Sequence, residues 1–334
     1  MILHHFMQPL AGYHTRAAFS LFPVSISMTT HTASRRLKQK RLWLALAALF
    51  ALLFFSLKEK PTSQHNQVAP FGTETGDSLP THNSQKPLSD AEKGILALAR
   101  AYPDFFEIAD QVPTQNVLVW KDGTRLPYDD GREKSPQERL ENPDLEDQMQ
   151  YYPSGRLETP PQKGEQAGRI RYEPFFKKMY GNSAAQVAQK LTTVVWLPKH
   201  IGTKLQVTTV NQVHQKVKTL SLQLDSLVSL RPDLKKYLQN PGGTFNWRNI
   251  SGTNRLSAHS FGMTLDINTT YSHYWQWSAK TKDENATLSY QNQIPMEIVE
   301  LFEAQGFIWG GKWYHFDTMH FEYRPELLLF AQMR

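Results

Sequence analysis

The sequence predicts an α+β fold, a small antiparallel sheet flanked by helices and carrying a metal site, preceded by an N-terminal membrane anchor. Three observations predict it. Helical repeats and short strand-like runs follow one another in irregular order, with no internal repeat. Two histidine- and aspartate-bearing runs, Ser257 to Asp266 and Asp317 to Glu322, lie in apolar and glycine-containing surroundings. An uncharged apolar run, Leu42 to Leu57, directly follows the basic cluster Arg35-Arg36-Leu37-Lys38-Gln39-Lys40-Arg41.

Residues 1–41 are expected to form a cytoplasmic segment, within which Met28 is an alternative start. Residues 42–57 are expected to be an uncleaved signal anchor, because Phe54-Phe55-Ser56-Leu57-Lys58 offers no small-x-small cleavage site. Five basic residues precede the run and only Lys58 and Lys60 closely follow it, so the N-terminus is expected to stay inside and the rest to be exported. Residues 58–88, rich in Thr, Ser, Pro, Asn and Gln, read as a flexible tether.

Folding is expected to begin at Ser89, where Ser89-Asp90-Ala91-Glu92 has the form of a capping box and leads into Ile95, Leu96 and Leu98. Pro103 stops that helix. Residues 89–199 read as an N-terminal extension packing on the core, and residues 200–334 as the core itself. Within the extension, Asp122 to Ala167 is dense in charge, Pro and Gly and is expected to be a long irregular segment wrapping the core. Gly168 through Tyr180 mixes basic and aromatic residues, and Ser183 to Thr193 is expected to be helical.

In the core, Lys204 to Val210 alternates as a strand does. Asn211 is expected to cap the next helix, on which Val213, Val217, Leu220, Leu224 and Leu227 form the buried stripe. Pro295 and Gly306 bracket a further helix with Ile298, Leu301 and Phe302 inside. Short strands are expected at Met263 to Asn268 and at His320 to Arg324.

Composition narrows the chemistry. The 334 residues include no cysteine, which excludes disulfides, zinc fingers, thiol nucleophiles and lipid attachment through an N-terminal cysteine. Any metal must be held by His, Asp or Glu. The net charge of +6 is concentrated in the short N-terminal cluster and no nucleic-acid motif accompanies it, so no nucleic-acid partner is expected.

His259, Asp266 and His320 would supply two imidazoles and one carboxylate, a set that suits Zn2+ with a fourth position open. On one helix, His259 and Asp266 would stand two turns apart, too far to share an ion. A turn at Ser260-Phe261-Gly262 followed by a strand brings them together, with Met263, Leu265 and Ile267 inward and Thr264, Asp266 and Asn268 toward a cleft. His273 and His315 are the competing histidines. Asp317, three residues before His320, could take a proton from an attacking water and pass it to a leaving nitrogen, or it could merely cap a turn. Glu322 could orient a ligand histidine or pair with Arg324.

At these residues the chain resembles the LAS peptidoglycan metallopeptidases, peptidase family M15. Ser257, His259, Gly262 and Asp266 match its Ser-x-His-x-x-Gly-x-x-x-Asp pattern, and Asp317 and His320 match its later Asp/Glu-x-x-His. Gly310-Gly311-Lys312-Trp313 and His320-Phe321-Glu322 look most like its endopeptidase branch. The resemblance spans roughly residues 200–330. It implies the LAS-type fold, His259, Asp266 and His320 as zinc ligands, Asp317 as base and Ser257 at the substrate edge. It also implies an upstream arginine on the scissile carbonyl, for which Arg248 is preferred over Arg255, although the usual Tyr-Arg-Ser surroundings are missing. The implied activity is hydrolysis of an amide in peptidoglycan stem peptides. The bond is either a terminal D-Ala-D-Ala bond or an internal L-Ala-D-Glu or cross-bridge bond. The basic cluster, the anchor and the tether place the chain, as an expectation, at the cell inner membrane, with the catalytic domain in the periplasm or cell-wall space. The competing expectation is an inactive wall-binding or scaffolding protein on the same fold.

Overall fold

The computed structural model describes residues 87–107 and 116–334, all within one compact unit of the chain. The anchor expected at 42–57, and nearly all of the tether, lie outside the described residues. Among the described residues no helix is long and apolar enough to cross a membrane.

Helix α1 (Asp90–Ala101) starts where a capping box satisfies two backbone donors: Ser89 Oγ accepts from Glu92 N, and Glu92 reaches back to Ser89 N. Its buried face, with Ile95 and Leu98, packs toward the C-terminal end of the chain. A two-stranded ribbon follows, β1 (Val117–Val119) with β2 (Arg125–Pro127).

Two short helices, α2 (Pro136–Glu141) and α3 (Leu145–Gln148), interrupt the stretch expected to be irregular. Each opens on its own capping box, Ser135 with Glu138 and Asp144 with Asp147, local signals too short to show any periodicity. Just ahead of them in the chain, the buried Lys134 Nζ sits 3.0 Å from Asp130, 3.0 Å from Asp144 and 2.7 Å from Asp147. The chain then wraps the core. Tyr152 OH donates to Glu303, and Lys312 Nζ donates to the carbonyls of Pro153 and Gly155.

Helix α4 (Glu173–Tyr180) carries Phe175 and Phe176 into an aromatic cluster with Tyr102, Phe106 and Trp120. Helix α5 (Ala184–Ala188) is shorter than expected, and Leu191 to Thr193 belong to a strand instead of a helix. The run Leu191-Thr-Thr-Val-Val-Trp196 is rich in β-branched residues, and β3 (Leu191–Trp196) pairs along its whole length with β4 (Thr203–Thr208).

Helix α6 (Val213–Leu230) buries Val213, Val217, Leu220, Leu224 and Leu227, the expected stripe. Asn211 does not cap it. Asn211 and Gln212 both take left-handed backbone angles, and Asn211 Nδ2 instead donates to Tyr180 OH. Short helix α7 (Lys235–Leu238) leads into the sheet that positions the site.

That sheet has four antiparallel strands in the order β5 (Pro241–Gly243), β6 (Thr264–Asn268), β8 (His320–Tyr323) and β7 (Phe307–Trp309). Helix α8 (Trp275–Ala279) lies between β6 and β8 in sequence, and α9 (Met296–Glu303) precedes β7. Phe302 of α9 stacks on Phe321 with ring centroids 3.7 Å apart. Helix α10 (Pro325–Gln332) closes the chain against α1. Buried side chains from Ile95 to Phe330 form one continuous hydrophobic cluster, so extension and core share an interior.

Candidate metal centre and its cleft

The register of β6 against β8 sets Asp266 directly opposite His320. Facing residues on antiparallel strands hold their Cβ atoms about 5 Å apart. His259 arrives from the turn before β6. Ser257 starts a 3-10 helix at Ala258–Phe261, its Oγ accepting from His259 N, and Gly262 ends it at φ 65°. Gly262 is required twice over there. Its backbone is left-handed, and a Cβ would lie 2.6 Å from Leu191 Cδ2.

The three side chains converge. His259 Nε2 lies 3.1 Å from Asp266 Oδ2, and His320 Nδ1 lies 3.0 Å from Asp266 Oδ1. One ligand atom from each falls within 4.8 Å of the others, room for a shared cation. The far sides of both rings are held as metal-ligating imidazoles are held. His259 Nδ1 lies 2.9 Å from the Thr244 carbonyl, which fixes Nε2 as the free face. His320 Nε2 lies 3.4 Å from Glu322 Oε2. Two imidazoles turned inward by outer partners, with a carboxylate between them, fit a zinc ion chemically.

Charges follow the geometry. Burial alone would raise the Asp266 carboxyl and lower the His320 ring, but their mutual attraction prevails in both. Asp266 is held below the usual carboxylate range, with His259 as the leading stabiliser, and His320 is pushed up to about 10. Asp317 goes the other way, up to about 7. Burial is the main cause and the charge of Asp266 adds to it, against the pull of His320 and His259. Its Oδ1 is shut off from solvent without a hydrogen-bond partner, although the residue as a whole is partly exposed. A buried carboxyl oxygen left unpaired beside a metal-type cluster is poised to exchange a proton.

A cleft of about 710 Å³ opens over these groups. His259, Asp266, Asp317 and His320 line it, together with Ser257, Arg248 and Arg255. Arg248 donates weakly to the neighbouring Asn249 carbonyl. The Arg255 side chain has no hydrogen-bond or ion-pair partner among the described residues, and burial, with Arg169 and Arg171 nearby, pushes it down to about 10. The competing histidines stand apart from the ligand cluster. His315 borders the cleft, but Gln166 and the Glu284 carbonyl occupy its two ring nitrogens, and burial lowers it to about 4. His273 faces Gln293. Glu322 faces His320 and also pairs with Arg324.

The β6 alternation needs one correction. Asp266 does face the cleft, but Thr264 and Asn268 are buried, Asn268 by donating to the Lys236 carbonyl. Sequence reasoning also assigned no role to Arg169 and Arg171, which line the cleft from the extension. Their signal was the basic and aromatic mixture after Gly168. The long segment 122–167 contributes no lining residue to this cleft.

Residues 251–323 match the family model described as D-alanyl-D-alanine carboxypeptidase, one of the M15 peptidases. The match supports an M15-family peptidase. The M15 stretch contains Arg255, Ser257, His259, Asp266, Asp317, His320 and Glu322, and leaves Arg248 and the whole extension outside. The match supports peptidoglycan peptidase activity in general. No curated protein and no solved structure matches the chain.

Proposed function

We propose that the protein is a zinc-dependent peptidase that hydrolyses an amide bond in peptidoglycan stem peptides, with the carboxy-terminal D-Ala-D-Ala bond favoured. The observation that carries this reading is the convergence of His259, Asp266 and His320 beside the unpartnered Asp317 Oδ1. A zinc ion held by those three residues would act as a Lewis acid and lower the pKa of water toward neutrality. Asp317 accepts the proton of the attacking water at its free oxygen and delivers it to the leaving nitrogen, so the carboxylate is regenerated each turnover. Burial raises the Asp317 carboxyl, a direction that favours its taking up a proton.

Arg248, in the lining of the same cleft, is the candidate to polarise the scissile carbonyl. Ser257 borders the substrate. Arg255 supports the choice of bond. A carboxypeptidase needs a cation for the free terminal carboxylate, and Arg255 offers a guanidinium with no internal partner. The family description points the same way. The proposed setting is the outer face of the inner membrane, the chain held there by residues 42–57, with stem peptides as the partner.

Full-length protein in detergent, incubated with purified muropeptides with and without a chelator, tests the reading by product mass. The expected result is chelator-sensitive loss of a terminal alanine. An internal cut would correct the bond, and no chelator-sensitive cleavage, or undiminished activity in Asp317→Ala, would overturn the mechanism.

A further inference from the structure

The Glu322 carboxylate behind His320 is fully buried and is gripped from two sides. Arg324 Nη1 donates to Oε1 at 3.1 Å, and Arg171 Nη1 donates to Oε2 at 3.0 Å. Oε2 is the oxygen that faces His320 Nε2. Arg324 is fixed in turn by Glu326, which accepts from Tyr102 OH. Of the two arginines, Arg171 therefore controls the atom that meets the histidine. It comes from the extension, about 80 residues ahead of the matched stretch.

The segment that carries Arg171 is set tightly against the core. Arg171 Nη1 also donates to the Gly168 carbonyl at 2.8 Å. Gly168 takes φ 105°, and a Cβ there would lie 2.2 Å from Ile308 Cδ1. Trp313 Nε1 donates to the Ala167 carbonyl, and Tyr314 N to that of Glu165. The guanidinium is thus delivered to Glu322 by a segment whose backbone carbonyls are tied to Trp313 and Tyr314 of the core.

We infer that Arg171 is a positioning residue of the metal centre: through the Glu322 carboxylate it fixes the orientation of the His320 ring, so that the extension completes a site whose ligands all lie in the core. A carboxylate behind a ligating imidazole sets ring direction and donor strength, and its loss typically weakens metal binding 10- to 100-fold. Releasing Glu322 on the side of Oε2 leaves a buried charge half-compensated and free to turn away from His320. The inference rests on the metal-site reading above.

Zinc affinity of the full-length protein, measured by competition with a chromogenic chelator, tests it without reference to turnover. The expected result is that the parent binds one zinc, Arg171→Ala binds it roughly 10- to 100-fold more weakly, and Arg171→Lys recovers most of the loss. In turnover with added zinc, kcat should fall while KM for the peptide holds. Arg156→Ala removes a different link between extension and core, the ion pair to Glu300, and should leave zinc affinity unchanged. Equal affinity in parent and Arg171→Ala, or equal weakening in Arg156→Ala, would overturn the inference and leave the metal reading standing. A parent that binds no zinc would overturn the metal reading itself.

Discussion

The back and the front of the candidate metal centre differ in how their polar groups are partnered. Behind the ligand cluster, the Thr244 carbonyl holds His259, and Arg171, Glu322, Arg324, Glu326 and Tyr102 are linked in a chain of buried hydrogen bonds and ion pairs in which Arg324 Nη2 is left without a partner. In front, Asp317 Oδ1 and the Arg255 guanidinium have no internal partner. A buried polar group left unpaired costs on the order of 1 to 3 kcal/mol, so a fold keeps such groups at a cost to stability. The networked side would hold the proposed ligands still; the unpaired groups in front are where a substrate would find its hydrogen bonds.

The contrast can be broken at several points. The largest effect is expected from His259→Ala, which removes one of the three proposed ligands: zinc measured by metal analysis should drop from about one equivalent to almost none, and activity with it. Asp317→Asn comes next. Hydrolysis should fall roughly 10²- to 10⁴-fold while zinc content stays at the parent level, since only proton transfer is lost. A variant that lost its zinc as well would show that Asp317 belongs to the holding side.

Arg255→Ala is expected to reduce kcat/KM roughly tenfold to a hundredfold on a peptide with a free terminal carboxylate, the size of a hydrogen bond between charged groups. On the same peptide with an amidated terminus the variant and the parent should be alike. A loss of the same size on both peptides would move Arg255 from substrate recognition to support of the turn at Ser257.

The smallest effect tests a second well-paired region. Asp144 lies below the usual carboxylate range. Burial would raise it, but the backbone donors of Asp147 and Asp130, together with Lys134, outweigh that. A carboxyl lowered on folding contributes stability in full above its unfolded value, about 3.9, and loses it as pH falls through the folded value. Urea midpoints should therefore decline below about pH 4 in the parent, and the decline should be shallower in Asp144→Asn.

Much of the front of the site was legible in the sequence, because the chemistry restricts residue type and spacing. His259, Gly262 and Asp266 sit at a turn followed by a strand, and the left-handed backbone at 262, tight against Leu191, favours glycine. The back was far less legible. Thr244 acts through its carbonyl, which any residue could supply, and Arg171 meets Glu322 across a sequence separation of 151 residues that no local pattern encodes. Local propensity also failed at Leu191 to Thr193, where pairing with β4 decides the strand, and at Asn211, whose side chain bonds to Tyr180 rather than to the helix after it.

Lys134 has a practical consequence for any experiment with a chelator. The other acidic groupings that could attract a cation, around Asp144, already enclose a covalently tethered ammonium within 3.0 Å of Asp130, Asp144 and Asp147. A sequestering agent cannot extract a side chain. If the proposed zinc is bound, activity lost to EDTA and restored by added zinc is expected to report on His259, Asp266 and His320, with the fold of the extension around Lys134 unchanged.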